Sequence, residues 1–430
     1  MDKIVLVLFI SILFACILTN IPIWLALLAG YILFAVYAFI KGFKIKDVLS
    51  MSAKGLKTTK SILFVFVLIG MLTALWRAAG VIPAIVSYSM KIIRPEIFVP
   101  ATFVLCCAMS VLTGTAFGTA ATMGAICVTI GHVVGVNPVM IGGAVLSGAY
   151  FGDRCSPVST TASLVAGITG TDLYTNIKNM LKSAAVPFAA VCVIYAIYSV
   201  CANTTDTPVP DVYSVFARVF VMNPCMLLPA AAILVLALCK IKTWITMLVS
   251  IVISIVICVV YQGLSAAEIL EFAVLGFKTT DEAISSLING GGIVSMLNVI
   301  AIVCISSCYS GIFEQTGLLK EIKSIVENAG NRFSVYPVMV AVSAITAMVV
   351  CNQTFCVMLT DQLCGHIEKD KEKRALYLED SAVIIPPLIP WTVACSVTLT
   401  SAGAPMHSGI AAFFLMLLPA YNLILSLIKK

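Results

Sequence analysis

Apolar residues fall along this chain in long blocks rather than at a soluble helix or strand period. Residues 4–18, 21–40, 62–76, 184–202, 226–238, 244–261 and 410–428 contain no Asp, Glu, Lys or Arg. A helix needs about 20 mostly apolar residues to cross a hydrocarbon core, so these blocks predict membrane spans. Four polar clusters interrupt otherwise apolar surroundings, at residues 112–122, 150–161, 350–356 and 378–391. Non-helical backbone at membrane depth survives only where protein or a cavity satisfies it. The pattern therefore predicts an all-α polytopic membrane protein of about 10–12 transmembrane helices, some of them discontinuous or re-entrant.

Composition supports this reading. Hydrophobic residues make up 61% of the 430 and charged residues 11%, against about 25% charged in soluble domains; the mean hydropathy is +1.08. The first apolar block runs through Asn20-Ile-Pro22 into the second without a small-residue cleavage region. It is expected to be a retained helix, not a signal peptide. The 16 Cys are scattered without metal spacing and are expected to pack as small hydrophobes without disulfides. The three His, His132, His366 and His407, form no local cluster, so neither a metal site built on them nor a cofactor is expected. The net charge of +6 lies mostly in loops, and it reflects orientation in the bilayer rather than nucleic-acid binding.

A weak internal repeat runs through the chain. Gly55-Leu-Lys-Thr-Thr59 recurs as Gly276-Phe-Lys-Thr-Thr280, and Leu75-Trp-Arg-Ala-Ala-Gly-Val-Ile82 is echoed by Ile312-Phe-Glu-Gln-Thr-Gly-Leu-Leu319. Val99-Pro100 and Tyr336-Pro337 each precede an apolar run, and Tyr150-Phe-Gly-Asp153 is matched by Tyr377-Leu-Glu-Asp380. The matches keep their order, with an insertion around residues 289–303. Lys41, Lys44, Lys46, Lys54, Lys57 and Lys60 face only Asp47, which marks a cytoplasmic loop. The matching stretch sets Lys278 against Glu268, Glu271, Asp281 and Glu282, as on the opposite side. That contrast predicts two inverted-topology repeats, a plan common among secondary transporters.

The expected layout is an N-terminal hairpin (1–40), a first transport repeat (41–203), connecting helices (204–262), a second repeat (263–405) and a C-terminal helix (406–430). Lys240, Lys242 and Lys429-Lys430 are expected to be cytoplasmic and the 206–211 loop external, which places both termini inside.

Each polar cluster has a plain reading and a functional one. Thr113-Gly-Thr115 and its neighbours suit close helix packing through small residues, or an unwound turn presenting oxygens. Tyr150–Thr161 suits a surface loop capped by Asp153, or backbone unwound around a carboxylate. Asn352-Gln353 suits interhelical hydrogen bonds or ligand contact. Leu378-Glu-Asp380 with Pro386, Pro387 and Pro390 cannot continue a regular helix and suits a kinked pack or a second break. Na⁺ favours oxygen ligands, which broken helices supply. An intramembrane carboxylate is costly unless paired or functional, and one Asp could alternate between Na⁺ and H⁺. Arg154 could point inward, onto Asp153 or an anionic substrate, or reach the interface as an anchor.

These residues resemble the NhaC-type sodium/proton antiporter family over roughly residues 55–403. Gly152-Asp-Arg-Cys-Ser-Pro-Val-Ser159 is similar to that family's Gly-Asp-x-x-Ser-Pro-x-Ser-Asp-Thr-Thr. Thr113-Gly-Thr-Ala-Phe-Gly-Thr119 resembles its Thr/Gly-rich break, and Leu378-Glu-Asp380 with Pro387-Leu-Ile-Pro-Trp391 its second-half motif. The resemblance implies Na⁺/H⁺ antiport by alternating access in a prokaryotic cytoplasmic membrane. It makes Asp153, Ser156, Ser159, Thr161, Glu379 and Asp380 site candidates beside Thr113, Thr115, Asn352 and Gln353, with Asp153 and Asp380 as Na⁺ ligands. Thr160 and Asn352 stand where the family usually has Asp, and Pro386 and Thr392 replace its Ser and Asn. These departures favour, as the alternative, a Na⁺- or H⁺-coupled carrier of a small amino or carboxylic acid. The expected partners are lipid, Na⁺, H⁺, under the alternative an organic solute of that class, and a second copy as a homodimer. A channel or scaffold is disfavoured by the repeat, and an enzyme by the lack of any nucleophile–base pair.

Overall fold

The computed structural model describes residues 2–428 apart from 20, 58, 90–96, 203–212, 214, 215, 240, 282–284, 286, 287 and 317–333. The expected external loop at 206–211, Lys240, Lys429-Lys430, Glu282 and the Leu318-Leu319 end of the second repeat match lie outside the described residues. The described chain is helical. It opens with α1 (Asp2–Leu18), α2 (Ile23–Ile40), α3 (Ile45–Lys57), α4 (Lys60–Ala78) and α5 (Val81–Ser89). Next come α6 (Phe98–Thr113), α7 (Ala116–Thr119) and α8 (Ala125–Val134), the last two joined by a π-helical turn at Ala120–Gly124. Then follow α9 (Pro138–Cys155), α10 (Thr160–Thr169) and α11 (Leu173–Ala202). The middle holds α12 (Leu228–Leu238), α13 (Thr243–Val260) and α14 (Ala266–Leu275). The last part holds α15 (Leu297–Thr316), α16 (Val335–Val350), α17 (Gln353–Cys364), α18 (Lys371–Asp380), α19 (Val393–Ala402) and α20 (Phe413–Ile428).

Among the described residues, three helices are long and apolar enough to cross a bilayer alone: Ala116–Val134, Leu173–Ala202 and Thr243–Val260. Other apolar helices run 10–17 residues, and two of them, α6 and α16, end where the chain breaks. The outer surface is that of a membrane protein. On α11, Val186, Val193, Ile197 and Val200 are exposed while Pro187, Val191 and Tyr195 are buried. A helix that is apolar on both faces, with one face open, is solvated by lipid rather than water.

The N-terminal hairpin and α3 pack on α15. Phe9, Phe34 and Tyr309 meet there with ring centroids 4.9–5.6 Å apart. Helix α4 packs on α13 and α14, and Trp76 Nε1 donates to Ser250 Oγ at 2.9 Å. The Gly55/Gly276 match does not carry over to the backbone. Gly55 lies inside α3, whereas Gly276 sits past the end of α14 at φ +98°, where a side chain would be strained.

The breaks themselves match closely. Helices α6 and α16 each have 16 residues and each ends on a left-handed residue, Gly114 (φ 64°) and Cys351 (φ 60°). An extended residue follows, Thr115 or Asn352, whose side chain caps the next helix. In the first part Gly114 lies against the second break: a Cβ there would stand 2.7 Å from Val158 C and 2.8 Å from Ser159 N. In the last part Val393 N, at the second break, donates to Cys351 O at 2.9 Å.

The structure corrects the expectation of where the Asp153 motif unwinds. Tyr150 to Cys155 are the last turns of α9, and only residues 156–159 are non-helical before Ser159 caps α10. Gly152 explains how α9 comes so close to α6. A Cβ at Gly152 would lie 2.2 Å from Val111 N and 2.3 Å from Ser110 C, and backbone cannot yield as a side-chain tip can. Gly152→Ala is therefore expected to destabilise the protein by about 3 kcal/mol, the upper end for overpacking. Thermal unfolding in detergent measures this, and an unchanged midpoint would refute the close contact.

Candidate functional site

The second break turns the chain so that two hydroxyls just after it face back onto the last turn of α9. Ser159 Oγ accepts from Thr161 N and Ala162 N at 3.1 and 3.3 Å, capping α10, and donates to Asp153 Oδ1 at 3.3 Å. Thr161 Oγ1 donates to Asp153 Oδ2 at 3.2 Å. The third partner comes from the other half: Gln353 Nε2, in the first turn of α17, donates to Asp153 Oδ2 at 3.4 Å and to Val383 O at 2.9 Å. Asp153 is 5% exposed. These bonds are long for charge-assisted contacts. A hydroxyl can rotate to turn a lone pair toward a cation, so the set suits a small hard cation.

Arg154, whose direction the sequence left open, points inward. Its side chain is fully buried and forms an ion pair with Asp380. Its Nη2 also donates to Ser183 Oγ at 2.8 Å, and its Nη1 to Met180 O at 3.2 Å. Asp380 accepts further from Ser183 Oγ at 3.4 Å and from Asn422 Nδ2 at 2.9 Å. Asp380, expected as a Na⁺ ligand beside Asp153, thus has its oxygens on a guanidinium, a hydroxyl and an amide. Among the described residues no three His, Cys, Asp or Glu side chains group as a metal site. Glu379, next to Asp380, is fully buried, and neither of its carboxylate oxygens has a hydrogen-bond partner among the described residues.

The other candidates hold the breaks in shape. Ser156 Oγ donates to Val111 O at 2.6 Å, tying the second break to α6. Thr113 Oγ1 donates to Met109 O at 3.0 Å and lies 3.2 Å from Thr119 Oγ1. Thr115 accepts from Gly118 N at 3.4 Å. Asn352 Oδ1 accepts from Thr354 N and Phe355 N at 3.0 and 3.4 Å. None of these four has a hydrogen bond to Asp153 among those described. Thr160, at the family's second Asp position, is exposed. Thr392 is buried; it donates to Pro386 O at 2.6 Å and caps α19 by accepting from Cys395 N.

Sequence reasoning missed Ser183 and Asn422. The sequence signal for Asn422 was a lone amide in the uncharged run 410–428; Ser183 gave none, being an ordinary small residue of a transmembrane helix.

Known proteins share much of this sequence. The Na⁺/H⁺ antiporter family profile matches residues 1–162 and 148–429. The Malate-2H⁺/Na⁺-lactate antiporter of Bacillus subtilis is 30% identical over 73% of this chain and 69% of its own length. The Na⁺/H⁺ antiporter NhaC of Alkalihalophilus pseudofirmus is 28% identical over 87% of this chain and 83% of its own. The Arginine/ornithine antiporter ArcD of Halobacterium salinarum is 25% identical over 83% and 76%. A profile that spans nearly the whole sequence, over a helical fold with paired breaks around one buried carboxylate, places this chain in the Na⁺/H⁺ antiporter family.

Proposed function

We propose that this protein exchanges Na⁺ for H⁺ across a cytoplasmic membrane by alternating access, with Asp153 as the principal cation ligand. One observation carries the reading: Asp153 is a buried carboxylate whose partners Ser159 and Thr161 come from one break and Gln353 from the other. A site shared between two halves changes its exposure when one half rocks against the other. The paired breaks support two related repeats, and the Lys-rich α3 region supports an orientation with that region and both termini cytoplasmic. The same membrane-embedded unit needs no resident cofactor, since Na⁺ and H⁺ are cargo.

Proteoliposomes enclosing a pH dye test this. Adding Na⁺ outside should move protons against the Na⁺ flux, in proportion to the amount of inserted protein. Inserted, folded protein without Na⁺-dependent proton movement would refute the reading.

A Na⁺- or H⁺-coupled carrier of a small amino or carboxylic acid is the second reading, favoured by the buried Arg154, whose Nε has no hydrogen-bond partner among the described residues. Against it, the rest of that guanidinium is taken up by Asp380, Ser183 and Met180. Thermal stabilisation across a metabolite panel separates the two: under the first reading Na⁺ stabilises the protein, and lactate, malate and basic amino acids do not.

A further inference from the structure

Helices α6, α9 and α11 leave a groove of about 580 Å³ between them, walled by Val104 and Leu112 of α6, Phe151 of α9, and Leu181, Ala185 and Phe188 of α11. That is the size of a small-ligand site, about 300–1,000 Å³, yet its walls carry no charged, amide or hydroxyl side chain. Neither Na⁺ nor a carboxylic acid would find a partner in it. From Val104 to Leu112 it follows α6 for about 12 Å, at about 1.5 Å per residue. Its rim opens onto the apolar outer surface, where Val104 is 44% and Leu181 48% exposed.

The mouth of the groove is basic. Tyr174, Lys178, Leu181, Ala185 and Phe188 follow one another at steps of four and three, so they share one face of α11; Lys182 flanks it. Both lysines and Tyr174 are exposed, just ahead of the uncharged run that begins at Ala184. Tyr and Lys at such a boundary sit at the level of lipid headgroups. Neither lysine forms an ion pair among the described residues. Two acids share this end and both face away. Asp172, which accepts from Thr175, stands on the side of the helix opposite Leu181, and Glu372 of α18 reaches α11 at Asn179, also turned from the groove.

We infer that this groove is a binding site for an acyl chain of one anionic phospholipid, whose headgroup lies on Lys178 and Lys182. The positive-inside rule that marks α3 as cytoplasmic marks this lysine-bearing end too, and the cytoplasmic leaflet is the one that carries anionic lipid. A second copy of the chain suits the groove less. In a two-fold interface the same patch meets itself, so the lysines of both copies would come together without an acid between them. The groove also ends beside the site. Leu112 stands two residues before the left-handed Gly114, and Phe151 two residues before Asp153. An acyl chain supplies the dispersion contacts that an unfilled groove lacks, so bound lipid should brace the first break.

Native mass spectrometry of the full-length protein in detergent, titrated with phosphatidylglycerol or with phosphatidylcholine of the same acyl chains, tests this. Wild type should hold one phosphatidylglycerol more tightly than any phosphatidylcholine. Lys178→Gln combined with Lys182→Gln should weaken phosphatidylglycerol about fivefold per lysine, roughly thirtyfold together, and leave phosphatidylcholine unchanged. Ala185→Phe fills the groove from its exposed rim and should remove the tight site altogether. Equal retention of the two lipids by wild type, or undiminished phosphatidylglycerol binding by either variant, would overturn the inference. Dimers that Ala185→Phe dissociates while lipid binding persists would put a second copy in the groove instead. If Ala185→Phe does not fold, a phosphatidylglycerol with a photoreactive acyl chain decides on wild type. Crosslinks to Phe151, Leu181 or Phe188 support the site, and crosslinks that avoid all three overturn it.

Discussion

Asp153→Asn is expected to abolish Na⁺-dependent proton movement while leaving the protein folded. Asn has nearly the same shape, and its Oδ1 still accepts from Ser159 or Thr161, so the second break keeps its local bonds. What disappears is the unit charge. At a separation of about 4 Å and an effective dielectric near 20, that charge is worth about 4 kcal/mol to a monovalent cation. At about 1.4 kcal/mol per decade, Na⁺ affinity should fall roughly a thousandfold, below any useful concentration. Thr161→Val is the graded control. It removes one of the hydroxyls on Asp153, a hydrogen bond to a charged group worth about 1.5–3 kcal/mol, and should weaken Na⁺ binding by roughly ten- to a hundredfold. Proteoliposome flux and equilibrium Na⁺ binding report both. An Asp153→Asn variant that still drives proton movement at the wild-type rate would remove Asp153 from the site.

Local spacing made part of this site legible. Asp153, Ser159 and Thr161 fall within nine residues of one another around a Ser-Pro break, so a helix end and a cap suffice to bring them together. Thr113-Gly-Thr115 marked the first left-handed turn, because Gly takes positive φ without strain. Its counterpart was harder to see, since Cys351 is not a residue that sequence reasoning assigns to that conformation; only Asn352-Gln353 flagged the place. The Arg154–Asp380 pair joins residues 226 apart in sequence. It depends on how α9 and α18 meet, which no local pattern encodes. Long apolar blocks made the helices legible, but not where the breaks leave them short of a full crossing.

Arg154→Met should destabilise the protein by about 3–5 kcal/mol, because it leaves Asp380 buried without its cation. Asp380→Asn alone should also destabilise, now by stranding the guanidinium, and its effect on transport should be the more telling. The uncompensated positive charge would then stand one residue along from Asp153 and oppose Na⁺ there. Combining Arg154→Met with Asp380→Asn removes one charge of each sign. The cluster then keeps its net charge, and the amide that replaces the Asp380 carboxylate can still bond Ser183 and Asn422. Replacing a buried ion pair as a unit is often close to neutral, so the double variant should regain most of the lost thermal stability. Its Na⁺ affinity should return to within about tenfold of wild type, an energy difference of about 1.4 kcal/mol. Thermal unfolding and Na⁺ binding of the four proteins form one double-mutant cycle. Additive losses in that cycle would show that Arg154 and Asp380 do not act as a pair. A double variant that is stable but blind to Na⁺ would instead make Arg154 part of the transport machinery.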